Sequence, residues 1–145
     1  MRRPFATGLS LALLIVVADQ GTKWLATNFL DYRTPLAVCP YFNLTLLHNT
    51  GAAFSLLAFA GGWQRWFFSA LAILASVYIV YLLRGSAPNA TGYRTGLVLI
   101  LGGAIGNLID RLRFGYVVDF IQVYYQEWSW PAFNVADSAI TIGAV

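Results

Sequence analysis

Between Trp66 and Leu83 the chain runs without a single charged residue. An apolar stretch of about 18 residues or more is long enough to cross a bilayer as a helix. Trp63, Trp66, Tyr78 and Tyr81 stand toward its ends, where amphipathic rings sit at the headgroup level. The rest of the sequence agrees with a membrane setting: 59% of the 145 residues are hydrophobic and 10% are charged. A soluble domain has roughly 45–50% apolar and about 25% charged residues, so there is too little charge here to clothe a water-facing surface. The fold class expected is an all-α membrane protein, one domain over 1–145, with four transmembrane helices.

The spans are expected at about 5–27, 66–83, 95–111 and from 134 onward, separated by outer segments 28–64 and 112–133. The last apolar segment reaches Val145 before the roughly 20 residues of a span are complete, so the fourth helix is expected to break off partway. Arg2, Arg3, Arg84 and Arg94 mark one side, which the positive-inside rule makes cytoplasmic together with both termini. Arg33, Arg65, Arg111 and Arg113 fall on the other side, so the bias is weak by count. The +3 net charge is scattered singly along the chain and does not indicate nucleic acid. In the outer segment 28–64, Tyr41 to Asn49 alternates over part of its length and is rich in β-forming types, which predicts a small β-rich element at the membrane surface. Residues 56–60 are apolar but short and predict an interfacial helix. Tyr124, Tyr125, Trp128 and Trp130 in 112–133 fit an interfacial aromatic belt.

Against this background the polar residues are conspicuous. Asp19 and Lys23 stand four apart on one helical face and can pair. Asn107, Asp110 and Arg111 share a face near the end of the third span, and Gly102 and Gly106 permit a close helix contact there. Asp119 lies between Val118 and Phe120, and Asn134 and Asp137 are three apart. All lie at one level, and ionisable groups in apolar sequence call for a functional explanation. Two carboxylates held close in a poorly hydrated site do not both ionise, so one can donate a proton while the other takes one from water. Spacing does not select the pair among Asp19, Asp110, Asp119 and Asp137. Structural roles compete: Asp110 with Arg111 as an ion pair, Asp137 as part of a helix cap, His48 as an outward or amide-paired residue. The single Cys39 and single His48 leave little for a metal site or a Ser-His-Asp triad, so no metal and no cofactor is expected.

Five blocks carry a resemblance: Asp19-Gln20-Gly21-Thr22-Lys23, Asn49-Thr50-Gly51-Ala52-Ala53-Phe54, Gly102 through Arg111, Val118-Asp119-Phe120, and Phe133-Asn134-Val135-Ala136-Asp137-Ser138. Together and in order, they resemble the bacterial lipoprotein signal peptidase (signal peptidase II) family. The resemblance implies an aspartic endopeptidase of the bacterial inner membrane with its site at the periplasmic face. The implied substrate is a diacylglyceryl-modified prolipoprotein, cut before the lipidated cysteine, and a globomycin-type inhibitor is implied as a ligand. It also implies Asp119 and Asp137 as the catalytic pair, with Asn49, Gly51, Asn107, Arg111 and Asn134 lining the site and Asp19, Lys23 and Asp110 supporting it. Family members usually carry the fourth helix further than this chain does. Two rival readings remain at this stage. A proton-coupled carrier predicts acids near the midplane and an internal repeat, neither of which is found; an assembly factor predicts tolerance of Asp119→Asn.

Overall fold

A computed structural model describes residues 2–51 and 61–145. The apolar segments become the helices α1 (Arg2–Phe29), α2 (Trp63–Gly85), α3 (Thr91–Phe114) and α4 (Val135–Ala144). Of these, α1, α2 and α3 are long and apolar enough to cross a membrane, and α4 is a shorter apolar helix of 10 residues. Each of the three long helices outruns its expected span by a few residues at either end; in α3 polar residues such as Thr91 and Arg113 continue the backbone ladder past the apolar stretch. Their outward faces carry Leu13, Leu14, Leu74 and Val77 exposed, as a lipid-facing surface requires.

The all-α expectation is corrected by a four-stranded antiparallel sheet in the order β1 (Leu36–Cys39), β2 (Phe42–Asn49), β3 (Val117–Tyr125) and β4 (Trp128–Ser129). The expected β-rich element is therefore larger than one outer segment, for β2 pairs with a strand from the other. β3 was not anticipated. Val117, Val118, Asp119 and Phe120 are all buried, so this half of the strand shows none of the alternation that marks a half-exposed one. The interfacial helix expected at 56–60 lies outside the described residues.

At the far end of the bundle, Ala12 of α1, Ile79 and Leu83 of α2, and Leu97, Val98 and Leu101 of α3 form one apolar cluster. At the sheet end, Val118 and Phe120 turn one face of β3 onto Ala26 of α1 and Leu46 of β2. Glycines let α3 sit against two neighbours at once. A Cβ at Gly102 would lie within 3 Å of Ile15 and Ala12 of α1, and one at Gly103 would strike the Ala136 carbonyl of α4. The expected Gly102/Gly106 contact is thus with α1, while the α4 contact of Gly103 adds a second close face. This packing brings the ends of α1, α3 and α4 together beneath the sheet.

Candidate active site

Two local devices place the carboxylates. Along β2 and β3, Leu44 pairs with Ile121 and Leu47 with Asp119, so β2 carries one extra residue between these rungs. The bulge turns Thr45 and Leu46 both inward, and the Leu46 carbonyl accepts a bond from the Arg33 backbone N–H at 3.0 Å. Beyond the bulge, Leu47 faces Asp119 and Asn49 faces Val117. Asn49 is therefore a diagonal neighbour of Asp119 on the same face, and its Nδ2 donates to Asp119 Oδ2 at 3.1 Å.

The second device joins α4 to the same strand. Phe133 bridges to Ile121, its N–H donating to the Ile121 carbonyl at 3.0 Å and its carbonyl accepting from the Ile121 N–H at 2.9 Å. The next residue, Asn134, is the N-cap of α4. Its Oδ1 accepts from the Asp137 backbone N–H at 2.9 Å, and its own N–H donates to Asp137 Oδ2 at 3.3 Å, completing a capping box. The capping role weighed for Asp137 is thus present in the structure, with Asn134 as the cap and Asp137 as its reciprocal partner. With its Oδ1 so engaged, Asn134 turns its Nδ2 to Asp119 Oδ1, at 2.7 Å. One asparagine therefore touches both carboxylates.

Beneath them lies a charged layer with almost no water. Asp19, Lys23 and Asp110 are 0%, 3% and 1% exposed. Lys23 Nζ meets Asp19 Oδ2 at 2.8 Å, Asp110 Oδ2 at 2.9 Å and Asn107 Oδ1 at 2.9 Å, which accounts for its three donors. Asp19 Oδ1 accepts from the Ala136 N–H of α4 at 2.9 Å, and Asp110 Oδ2 from the Val118 N–H of β3 at 3.0 Å. The triad thus fastens α1, α3, α4 and β3 at one point. Asn107 relays it upward: held at Oδ1 by Lys23, it directs its Nδ2 to Asp137 Oδ1 at 2.8 Å. Asn134 Nδ2 also approaches Asn107 Oδ1 at 3.2 Å.

The expected Asp19–Lys23 pair is present, but the expected Asp110–Arg111 pair is corrected. Neighbouring residues on a helix project in different directions; Asp110 points into the triad, and Arg111 Nη2 donates to the Gly51 carbonyl at 3.1 Å. Gly51 in turn donates its N–H to Asn49 Oδ1 at 3.0 Å. All ten residues singled out in the sequence therefore belong to one connected network. Gln20 is a member that sequence reasoning assigned no role. Its Nε2 reaches Asp110 Oδ1 at 2.9 Å and Asp19 Oδ2 and the Gly106 carbonyl, each at 3.2 Å; its signal was an amide beside Asp19 in an apolar run. His48, expected to be outward or amide-paired, is half-buried and stacks on Tyr116 with ring centroids 4.0 Å apart.

Asp137, Asn49, Asn107 and Arg111 open onto a cavity of about 780 Å³, whose further walls are Phe68, Ala72 and Ala75 of α2 and Ala104 of α3. Asp119 stands just behind the Asn49 side of that wall, 3% exposed. Burial, and then the Asp137 carboxylate, push the Asp119 carboxyl up to about 7; the Asn49 and Asn134 amides and Lys23 oppose the shift. Among the described residues no group of three or more His, Cys, Asp or Glu side chains is gathered as metal ligands would be.

The class that fold and site define is a helical membrane protein with a surface sheet and a carboxylate pair at their junction. A family pattern described as "Signal peptidase (SPase) II" matches residues 11–145. The lipoprotein signal peptidase of Acinetobacter baumannii (strain ATCC 17978) is 55% identical over 137 residues, covering 94% of this chain and 78% of that protein. That of Paraburkholderia phymatum is 51% identical over 139 residues, 96% and 83% of the two chains. Two solved bacterial membrane enzyme structures superpose with TM-scores of 0.84 and 0.82 at 33% and 32% identity. They cover 96% of this chain in each case, and 83% and 88% of their own. The chain belongs to the signal peptidase II family of aspartic peptidases.

Proposed function

We propose that Asp119 and Asp137 are the water-activating dyad with which this lipoprotein signal peptidase cleaves prolipoproteins. The observation that carries the assignment is Asn134, which donates to Asp119 through its side chain and to Asp137 through its backbone, setting both beside one cavity. One aspartate takes a proton from water as the oxygen attacks the scissile carbonyl carbon. The other gives its proton to the carbonyl oxygen. When the tetrahedral intermediate collapses the C–N bond breaks, the departing nitrogen takes a proton and the dyad returns to its starting state. Asp119, with its pKa near 7, serves in either direction. Asn49, Asn107 and Asn134 hold the two carboxylates in register, and Arg111 fixes the Gly51 segment at the cavity wall.

The finer substrate reading follows the membrane setting. The dyad sits where three long helices meet a surface sheet, so a substrate anchored by a diacylglyceryl group arrives in the membrane plane at the right depth. The apolar cavity wall of Phe68, Ala72, Ala75 and Ala104 suits an acylated or apolar partner, and a globomycin-type inhibitor would occupy the same space. The cut would fall before the lipidated cysteine. Arg84 and Arg94 at the opposite end support a cytoplasmic loop between α2 and α3 and a dyad at the periplasmic face. The test is cleavage of a diacylglyceryl-modified prolipoprotein peptide by purified protein, wild type against Asp119→Asn and Asp137→Asn. Turnover is expected to vanish in both folded variants while the unlipidated peptide stays uncut. Near-normal turnover in either variant removes that residue from the dyad.

A further inference from the structure

At the sheet end, six residues from three segments stack in a row with a guanidinium at each extremity. Arg33 Cζ lies 5.2 Å from the Tyr32 ring centroid, and Tyr32 lies 4.7 Å from His48. His48 stacks on Tyr116 at 4.0 Å, Tyr116 on Phe114 at 5.7 Å, and Arg113 Cζ stands 4.9 Å from Phe114. Burial holds the His48 imidazole below its ordinary pKa, which favours the neutral ring in the middle of the row. A third arginine joins beside the turn after α3. Arg65 lies against Gly115, donates Nη2 to the Leu112 carbonyl at 2.7 Å and covers the Trp66 ring at 4.9 Å.

None of these arginines has an acid. Among the described residues the ion pairs are those of Lys23 with Asp19 and Asp110, and residues 52–60 contain no acid in their sequence. Arg33 and Arg113 are exposed, and Arg65 keeps a buried Nε donor without a partner among the described residues. Cations at this end also run against the positive-inside bias, which a purely topological role does not explain. Because α1 and α3 end here and α2 begins here, the row lies at headgroup depth whichever way the chain faces. Rings at that depth are at home in the interface, and guanidiniums pair with phosphates through parallel N–H donors.

We propose that Arg33, Arg65 and Arg113, carried on the Tyr32–His48–Tyr116–Phe114 row, form a seat for the phosphates of anionic phospholipids. The occupant is the membrane surface itself, chosen by charge complementarity and depth. This proposal stands apart from the peptidase reaction, since none of the three arginines bonds to the carboxylate network.

Tryptophans 24, 63, 66, 128 and 130 are the five of the chain and all lie toward this end, so energy transfer from tryptophan reports lipid bound here. The full chain in neutral detergent would be titrated with dansyl-labelled phosphatidylglycerol and, separately, dansyl-labelled phosphatidylcholine. A preference for phosphatidylglycerol that fades with added salt is expected. Each of Arg33→Gln and Arg113→Gln should weaken it about five-fold, the fold-change of roughly 1 kcal/mol per surface cation, and the double variant about 25-fold. Arg84→Gln, at the opposite end, should leave it intact, and thermal melting would confirm that each variant is folded. The proposal is overturned if wild type shows no preference or the folded double variant retains it. Displacement by soluble glycerophosphoglycerol at comparable concentration would also overturn it, since that marks a site for a free phosphodiester. Peptidase activity enters none of these readouts.

Discussion

Two pairs of buried aspartates stand a few bonds apart in this protein and are treated in opposite ways. Asp19 and Asp110 share a lysine, and each also accepts a backbone N–H from an element of the sheet end. Asp119 and Asp137 receive amide donors from Asn49, Asn107 and Asn134, and among the described residues neither makes an ion pair. A carboxylate in direct contact with an ammonium is committed to an ion pair that ties its helix to the next. One held by neutral amides away from solvent is not so committed, and for Asp119 burial raises the pKa to about 7. The first pair is therefore suited to holding helices together and the second to exchanging protons. A buried acid becomes informative about chemistry through its partners, not through burial alone.

The sharpest test of that contrast is to neutralise one member of each pair. Asp119→Asn and Asp137→Asn keep the shape and should fold, yet lower turnover by on the order of 10³-fold or more, as expected for loss of an acid–base group. Lys23→Met should do the reverse and act first on the fold. It leaves Asp19 and Asp110 buried without their cation, a loss of about 3–5 kcal/mol, read as a fall in the melting midpoint in detergent. Full stability in Lys23→Met would erase the distinction between the pairs. Gly106→Ala should cost less, about 1–3 kcal/mol: its Cβ would lie 2.6 Å from Asp19 Oδ2, and the helix cannot retreat from α1 without loosening the triad.

A further difference between the pairs is one of pH. Asp119 is shifted from 3.8 to about 7, so the native state holds its proton more tightly than the unfolded chain. This stabilisation is complete at low pH and is lost as pH rises from about 4 to about 7, with no further change from this group above that. Melting curves across that window should show the decline in wild type, and Asp119→Asn should flatten it. An unchanged slope would place the titrating group elsewhere.

Much of this was legible in the sequence because apolar length and composition act locally. The uncharged run 66–83 dictates a helix in any bilayer, and Asp19 and Lys23 meet because a helix places residues four apart on one face. The strand that carries Asp119 was hidden for an equally physical reason. Buried on both faces over Val117–Phe120, its first half has no alternation to read. The bulge at Thr45 and Leu46 likewise breaks the pattern of β2 beside the residue that matters most.

The sequence by itself determined a membrane protein, its long helices, the inventory of polar groups and, through motif resemblance, its family. Tertiary structure alone decided how those groups are shared out. Lys23 and Asn107 are 84 residues apart, and Asn134 meets Asp119 only because Phe133 adds a bridge to β3. The choice of Lys23 over Arg111 as the partner of Asp110 rests on where α1 packs, and the glycines of α3 set that distance. Spacing along a chain fixes which side chains share a face. Which faces then meet is settled by how closely the backbones can approach.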